Sequence, residues 1–553
     1  NTITFSGSAQ KISSGTAVGV SLSGNTGATV NLSGGGLAIA TTTGSGVSAT
    51  GGGTVTVTGA NNTIASVGGV ALNVNGTTIG ASGLTFKSIS ANGGTNGIVL
   101  NGTGSNGGLT VTGDGSANSG GTIQNVTGAG ISLTTAQNLK FNNLKVLNSA
   151  RSGVEGTAVV NFEYTNGTID QSGDAPAPGL SANESNLLFY DFANTATSIN
   201  LSGVVTITGN ALSNALNHGL YIYNRGGTIS NLNVSSNVIT TPTATTASVG
   251  SGIVIDEQGG GASITKGNID SNQIFNVPVG AGIQIVCGSS SVAGTCGTPG
   301  SATNIISISS NKIWGASAAA PIGSEGLVAN MNGKGQGNFL VNLNNIKNTN
   351  GRGMGVSAFG QVTMQSAVTN NTIVSTPAFS ATNMEIGADS TAGIASGAVY
   401  TATVTGNNIS GHDGVGIYAL ARGSSDVLNV KIIGNTIAAP ISTVSARAGI
   451  RVDAGSASGA PTVCARIETN TTGGSNNGGG STSPGINFRE QTVSGANFGT
   501  LKFHNLSPAS GATKAQAESY VTGLNPGSTT GTFGTGGAAA LQTPPTYESC
   551  SLP

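Results

Sequence analysis

Residues 404–419 read VTGNNISGHDGVGIYA and contain both of the short phrases that decide the fold. The first phrase is Asn, any residue, then Ile or Leu, as in Asn407–Ile409. The second is Gly followed by alternating apolar residues, as in Gly416–Ala419. Both phrases recur along the chain, and the intervals between successive Asn phrases are 27, 35, 39, 33, 27, 36 and 28 residues. The Asn phrases begin at Asn210, Asn237, Asn272, Asn311, Asn344, Asn371, Asn407 and Asn435, and the Gly phrases at Gly219, Gly252, Gly282, Gly326, Gly353, Gly416 and Gly449.

A repeat of roughly 30 residues with short apolar alternations suits one turn of a parallel β-solenoid. Each strand of four or five residues points alternate side chains inward, and stacked coils then share one aliphatic column. Gly and Asn tolerate the left-handed backbone angles of sharp corners. An Asn at the same corner of successive coils can also stack as a ladder in which each amide bonds the next, so we interpret the Asn repeat as structural.

The repeated phrases resemble those of right-handed parallel β-helix proteins, namely pectate-lyase-like proteins and large bacterial surface proteins such as autotransporter passengers and filamentous adhesins. They cover about residues 200–470, and looser phrases of the same kind precede them. The resemblance implies an all-β chain folded as a right-handed parallel β-helix, or β-solenoid, with a short helix-containing C-terminal cap.

Four segments follow from the regularity of the phrases. We expect N-terminal coils or a cap at residues 1–50 and shorter, irregular coils at 51–200. Regular coils of about 30 residues follow at 201–470, and a C-terminal cap and tail occupy 471–553. The Pro-containing stretch 174–186 is predicted to be a loop that projects from a corner.

The C-terminal segment contains the best helix candidate of the chain, Gly511–Val521. Ala515, Ala517 and Val521 could cover the open last coil, as solenoid ends require. A tail stapled by Cys550 would complete this cap.

The composition excludes several classes of protein. Of 553 residues 91 are Gly, only 7% are charged, and 19 Lys and Arg against 20 Asp and Glu give a net charge of −1. There is no basic surplus for a nucleic acid, and no apolar run approaches the roughly 18 residues of a membrane span. Since 37% of the residues are hydrophobic, the chain can still build a large core.

Four cysteines bear on the compartment. Cys287 and Cys296 lie nine residues apart in a Gly- and Ser-rich stretch, and Cys464 and Cys550 would pair across the C-terminal part. We favour two disulfides; metal binding is the alternative, although no C-x-x-C occurs and the three histidines are distant in sequence. Disulfides place the protein outside the cytosol, so we expect an export signal that was removed or lies outside this numbering.

Enzymatic chemistry is the serious competitor, because similar β-helices carry polysaccharide lyases and hydrolases. Such sites need clustered carboxylates, yet acidic residues here are scattered singly. The nearest candidates are the pair Asp256 and Glu257, which should point to opposite faces of a strand, and His412 with Asp413, which we interpret as a turn. We therefore predict no catalytic residues, no metal and no cofactor.

Four aromatic residues, Tyr221, Tyr223, Trp314 and Tyr418, could stack on sugar rings, although single aromatics on a β-helix more often serve packing.

The expected function is that of an exported bacterial structural protein, extracellular or on the cell surface. A weakly charged β-helix rod would associate end to end or laterally, as a surface fibre subunit or adhesin. The alternative is a β-helix protein that binds or cleaves polysaccharide, with surface glycans as partners. The two differ in whether acidic and basic residues of successive coils line up in one groove.

Overall fold

A computed structural model describes the chain except for residues 174–183, 192–197, 241–249, 290–291, 318, 375–381, 391–394, 442–446, 456–459, 475–484, 491, 494–495, 498, 529–531, 534–546 and 553. The chain divides into two compact units, Asn1–Ile255 (unit 1) and Asp256–Pro553 (unit 2). Most of the loop predicted at 174–186 and most of the C-terminal tail lie outside the described residues.

Each unit is a stack of coils whose parallel strands form three faces, which we call the first, second and third sheets; long strands that run through both join the first and third into one hydrogen-bonded sheet. Near the start of unit 1, Thr29 pairs with Thr54 in the first sheet, Thr63 with Ser88 in the second, and Val47 with Leu72 in the third, so these coils take 25 residues each. The strands are parallel because the chain returns to the same edge after every full turn. Two long strands, Ile131–Asn142 and Val154–Thr165, run from the third sheet into the first.

The other strands of unit 1 fall into these three sets. The first sheet contains Thr2–Phe5, Thr29–Leu32, Thr54–Val57, Thr78–Phe86, Leu109–Val111, Leu201–Thr208 and Thr228–Ser235. The second contains Lys11–Gly15, Ala38–Thr41, Thr63–Val67, Ser88–Asn92, Thr122–Gln124, Lys145–Ser149, Thr168–Ser172, Ala211–Ser213 and Val238–Thr240. The third contains Val20–Ser23, Val47–Thr50, Leu72–Asn75, Ile98–Asn101, Leu187–Phe189 and Leu220–Asn224.

Unit 2 repeats the arrangement, and the strand Ile253–Glu257 contains the boundary between the units. Its first sheet contains Ser263–Ile264, Gly267–Asp270, Ala293–Cys296, Ile306–Ser309, Val399–Thr405, Val427–Ile433, Thr462–Glu468, Thr500–His504 and Glu548–Cys550. The second contains Gln273–Phe275, Lys312–Trp314, Asn345–Lys347, Thr372–Val374, Asn408–Ser410, Thr436–Ile437 and Thr471–Thr472. The third contains Ile283–Cys287, Met384–Ala388, Ile417–Ala421, Ile450–Ala454, Ile486–Glu490 and Thr532–Phe533. Two long strands, Leu327–Asn342 and Met354–Thr369, run through both the third and the first sheet. A separate short pair, Thr492–Val493 with Ala496–Asn497, is antiparallel.

Stacked side chains of one type fill the interior. In the second sheet of unit 2, Ile313, Ile346, Ile373 and Ile409 are register partners in successive coils, and all four are buried. Full burial of an Ile side chain is worth roughly 1.5–3 kcal/mol. Such columns give each coil a core only when its neighbours are present.

Aromatic residues also enter the core of unit 1, although they make up only 4% of the chain. Phe141, Phe162 and Phe189 are buried in consecutive coils, with ring centroids 6.0 and 4.9 Å apart. Tyr164 is also buried and donates its hydroxyl to the Leu144 carbonyl oxygen at 2.9 Å, which satisfies its polar end.

A ladder of buried asparagines lines the corner between the first and second sheets. Each side-chain Nδ2 donates to the Oδ1 of the next ladder asparagine at 2.9–3.0 Å. In unit 1 the ladder links Asn210 and Asn237, and in unit 2 it links Asn272, Asn311, Asn344, Asn371, Asn407, Asn435, Asn470 and Asn525. The amide also donates to a main-chain carbonyl of the preceding coil, as Asn344 does to Ile308 at 2.8 Å. The ladder therefore satisfies buried polar groups at the bend.

The left-handed residue of this corner is the one before the ladder asparagine. Its φ is +56° at Ser271, +57° at Ser310, +56° at Leu343 and +55° at Asn370. The corner thus divides two tasks between neighbours, because one residue makes the turn and the next holds the amide bonds.

A helix closes the C-terminal end of unit 2. Helix α1, Lys514–Leu524, begins with a capping box between Thr513 and Gln516, and its Ala517 and Val521 side chains are buried. Asn525 ends the helix and is also the last member of the ladder, since its Oδ1 accepts from Asn470 Nδ2 at 3.0 Å. The predicted all-β parallel β-helix with a helix-containing C-terminal cap is confirmed.

Two disulfides lie in unit 2. Cys287 is joined to Cys296, and Cys464 to Cys550 across 86 residues. The second bond ties the strand Glu548–Cys550 to the strand Thr462–Glu468. No cysteine is free.

Candidate ligand-binding face

Three tyrosines gather on the outward side of the third sheet of unit 1. Phe189 and Ile222 are register partners with inward side chains, so Tyr190 and Tyr223, which follow them, share the next outward position. The ring centroids of Tyr190 and Tyr221 are 5.8 Å apart in a stacked arrangement, and those of Tyr190 and Tyr223 are 5.3 Å apart. Tyr190 and Tyr221 remain half-buried, so parts of their rings face solvent. We call these three residues the tyrosine cluster.

The surroundings hold the tyrosine cluster in place. The His218 ring lies 4.9 Å from the Tyr221 ring, and its Nδ1 accepts the Ser251 amide proton at 2.9 Å. Burial lowers the pKa of His218 to about 4, so the ring is neutral at neutral pH. Arg225 Nε donates to the Tyr223 hydroxyl at 2.7 Å. The cluster therefore presents fixed aromatic rings beside one cation.

In unit 2, the outward positions of the third sheet and the residues flanking its strands carry charge. Arg352 Nη2 lies 3.3 Å from Glu325 Oε1, and Arg352 Nη1 pairs with Glu385. The guanidinium therefore bridges carboxylates from the coils before and after its own. We call the whole set the charged row, which consists of Glu325, Arg352, Glu385, Asp389, Tyr418, Arg422, Arg451, Asp453 and Arg489.

The charged row continues through the next coils. Arg422 Nη1 lies 3.1 Å from Asp389 Oδ2. The Tyr418 hydroxyl donates to Asp453 Oδ2 at 2.6 Å, and Arg489 Nε donates to Asp453 Oδ1 at 2.8 Å. Acidic and basic side chains of successive coils thus line up on one sheet.

Partial burial perturbs the titration of this row. Burial raises the pKa of the Glu385 and Asp389 carboxyls, although their arginine partners act in the opposite direction. Burial, reinforced by the Asp453 carboxylate, raises the pKa of Tyr418 to about 12. Tyr418 is therefore protonated at neutral pH, and its hydroxyl donates a hydrogen bond to Asp453. The arrangement can offer fixed cations, anions and hydroxyls to a polar ligand.

Three of the residues considered as catalytic candidates, Asp256, Glu257 and His412, are buried. Asp256 and Glu257 are both buried, where opposite faces of a strand would leave one of them outside. His412 is buried in a turn, with Nδ1 2.9 Å from the Gly414 carbonyl oxygen and Nε2 3.0 Å from that of Ala438.

The four aromatic candidates divide between the sheets. Tyr221 and Tyr223 belong to the tyrosine cluster and Tyr418 to the charged row. Trp314 lies on the second sheet, where its Nε1 donates to Asn345 Oδ1 at 3.2 Å and the Lys347 ammonium lies 4.5 Å from its ring centroid. On the other side, the ring centroid of Phe275 in the preceding coil lies 6.0 Å away, so Trp314 is packed between neighbouring coils.

No group of three His, Cys, Asp or Glu side chains among the described residues could hold a metal ion. No helix in the described part of the chain is long and apolar enough to cross a bilayer.

Sequence reasoning missed the charged row, although a signal was present. The third residue of the Gly phrases points outward, and it is Tyr418 after Gly416, Arg451 after Gly449 and Asn487 after Gly485. Aligning the coils on these glycines brings the three residues into one column, and the structure places them in register. Asn470 and Asn525 escaped notice because neither is followed by the Ile or Leu of the Asn phrase.

The comparison with known proteins agrees with this architecture. Residues 107–296 match the family described as "Right handed beta helix region". No curated protein matches the chain. The protein is a parallel β-helix, and the family match supports the right-handed winding of its coils.

Proposed function

We propose that this protein is an exported, extracellular β-helix protein that binds polysaccharide on the outward sides of the third sheets of its two units, and so acts as an adhesin. The tyrosine cluster carries the proposal, because the partly exposed rings of Tyr190 and Tyr221 lie at outward positions and are not needed for the core. Aromatic rings combine an apolar face with a polar edge, which suits the apolar faces and hydroxyls of sugars. The two disulfides support an oxidising compartment outside the cytosol.

The charged row supports binding in preference to bond cleavage. Glycoside hydrolysis needs two carboxyl groups that face the scissile bond. In the row, Glu325 and Glu385 share Arg352, Asp389 pairs with Arg422, and Asp453 pairs with Arg489. Side chains held in this way suit recognition of a polar polymer, and we assign the protein no catalytic role.

Binding to a panel of neutral and acidic polysaccharides tests the proposal. We expect wild-type protein to be retarded in affinity gels by at least one polymer. Tyr221→Ala should weaken that binding at least tenfold, about 1.4 kcal/mol, because the stack with Tyr190 is lost. Phe275→Ala is the matched control, since Phe275 is a half-buried aromatic residue on the second sheet. Absence of any binding by the wild type would refute the function.

Self-association is a second candidate, favoured by the first coil. Ile3 is 50% and Phe5 51% exposed. A cavity of about 270 Å³ is lined by Phe5 and by further apolar side chains that include Ile12 and Leu22, together with a few polar ones. Apolar surface of this kind favours contact with a second copy.

Electron microscopy and sedimentation of concentrated protein test this second candidate. We expect fibres or oligomers that dissociate in the double variant Ile3→Asn/Phe5→Asn. Monodisperse single particles for the wild type at high concentration would exclude it.

A further inference from the structure

The charged row is neutralised unevenly along its length. At one end, Arg352 faces two carboxylates, Glu325 and Glu385. At the other end, Arg489 takes both oxygens of Asp453. The ion pairs of the described residues include none for Arg451, which lies in the strand of Asp453.

Arg451 occupies the middle of an outward column, between Tyr418 of the preceding coil and Asn487 of the next. Its guanidinium lies 5.9 Å from the Tyr418 ring centroid. Its Nε is buried and has no hydrogen-bond acceptor in the described structure. Burial and the nearby charge of Arg489 lower the pKa of Arg451, although Asp453 acts in the opposite direction. A guanidinium retains its charge even so, and the described residues provide no direct ion-pair partner for this one.

Asn487 supplies a second unsatisfied group at the same place. Only 7% of this residue is exposed, and its Oδ1 receives no hydrogen bond from the described residues. A buried polar atom without a partner costs about 1–3 kcal/mol. An anion beside Arg451 and a hydroxyl donor beside Asn487 would remove both deficits.

We propose that Arg451 and Asn487 form a subsite for an anionic sugar residue, whose carboxylate or sulfate pairs with the guanidinium while a hydroxyl donates to Asn487 Oδ1. The subsite rests on the proposed polysaccharide-binding function and specifies its ligand as an acidic polymer. Arg489, held by Asp453, adds positive charge next to it. A planar guanidinium recognises such oxyanions through paired N–H donors.

Matched polymers that differ only in charge give the first test. Alginate is compared with its propylene glycol ester, and dextran sulfate with dextran, in the same buffer. We expect the wild type to bind at least one charged polymer at least tenfold more tightly than its neutral partner. Binding should weaken with added NaCl, since salt screens the pairing of charges. A preference confined to alginate assigns a carboxylate to the subsite, and one confined to dextran sulfate assigns a sulfate.

Two variants place the effect at the subsite. Arg451→Gln should abolish the preference for the charged polymer, and Asn487→Ala should weaken binding severalfold without removing the preference. Arg466→Gln is the matched control, because Arg466 is a partly exposed arginine of the first sheet that pairs with Glu468. Circular dichroism and the melting temperature of each variant verify folding.

The outcomes separate the subsite from the general function. Equal binding of charged and neutral polymers, or an unchanged preference in a folded Arg451→Gln variant, would overturn the subsite and leave polysaccharide binding intact. If wild-type protein binds none of the polymers, both the subsite and the proposed function fail.

Discussion

Leu343 adopts a backbone conformation that is unfavourable for leucine. It adopts φ +56° and is 55% exposed, yet it directly precedes the ladder residue Asn344. A left-handed conformation costs a residue such as leucine roughly 1–2 kcal/mol, and asparagine less. The next coil has Asn370 at this position with φ +55°. The corner thus keeps its left-handed φ even where the residue, here leucine, disfavours that conformation.

We therefore expect Leu343→Asn to stabilise the protein. The free energy of unfolding should rise by about 0.5–1 kcal/mol, because left-handed strain is relieved and little buried surface is lost. Urea denaturation measures the change. Val399→Asn is the control, since Val399 is also exposed but lies in a strand; it should not stabilise. A destabilised Leu343→Asn variant would contradict the argument.

The partly buried carboxyl of Glu490 should make the stability of the folded protein depend on pH. Its Oε1 accepts the Leu501 amide proton at 2.7 Å, but burial raises its pKa to about 7. The folded state therefore binds a proton that the unfolded state has released above pH 4.5. Because protonation is linked to folding, the contribution of this carboxyl to the free energy of unfolding is fully present below pH 4.5. It is lost as the pH rises through about 7.

The pH dependence gives a direct measurement. Between pH 5 and 8, roughly the interval of this titration, the melting temperature of wild type should fall more than that of Glu490→Gln. Glu385 and Asp389 also have raised pKa values, so only the difference between the two proteins reports on Glu490. Parallel pH profiles for both proteins would show that this carboxyl is not the source.

At the scale of elements, the C-terminal cap depends on contacts that are distant in sequence. Asn525 joins the end of helix α1 to the ladder, and the Cys464–Cys550 disulfide ties the last strand to the sheet. A cross-link over 86 residues removes much more unfolded-state entropy than one over nine. The longer disulfide should therefore contribute more to stability.

Paired alanine variants test this ranking. Cys464→Ala/Cys550→Ala should lose about 4–5 kcal/mol of unfolding free energy, and the control Cys287→Ala/Cys296→Ala about 2.5–3 kcal/mol. Alanine is used because it introduces no buried hydroxyl. Calorimetry, or urea denaturation followed by a signal that reports on unit 2, measures each loss. A larger loss in the control pair would refute the entropic ranking.

For the whole molecule, each coil contacts mainly its neighbours, so stability should be local. Asn344 receives bonds from Asn311 and gives them to Asn371 and Ile308. Its removal leaves several buried groups unsatisfied, at a cost of about 2–4 kcal/mol. Solenoid stability is approximately a sum of coil and interface contributions. The damage should not spread evenly through the chain.

Hydrogen exchange of Asn344→Ala checks this locality. Amides of the strands Lys312–Trp314 and Thr372–Val374 should exchange faster, while those of Thr63–Val67 in unit 1 should be unchanged. Asn345→Ala, a half-buried neighbour, serves as the control and should have a smaller effect. A uniform increase across both units would contradict local stability.

The sequence by itself determined the β-helix, because its corners and inward positions repeat. Asn phrases such as Asn407–Ile409 place an amide at one corner and an Ile or Leu in the core of the coils that carry them, and these signals survive changes in loop length. The cap helix was also predictable, since local residues such as Thr513 and Gln516 define its start.

Only the tertiary structure decided which polar side chains meet. Arg352 and Glu385 are 33 residues apart, and Asp453 and Arg489 are 36 apart, yet each pair is in contact. The intervening loops vary in length, so sequence spacing alone does not bring these residues into one row. Parallel stacking converts equal positions in successive coils into neighbours about 4.8 Å apart. The charged row, with Arg451 among its members, therefore exists only once the coils are wound and in register.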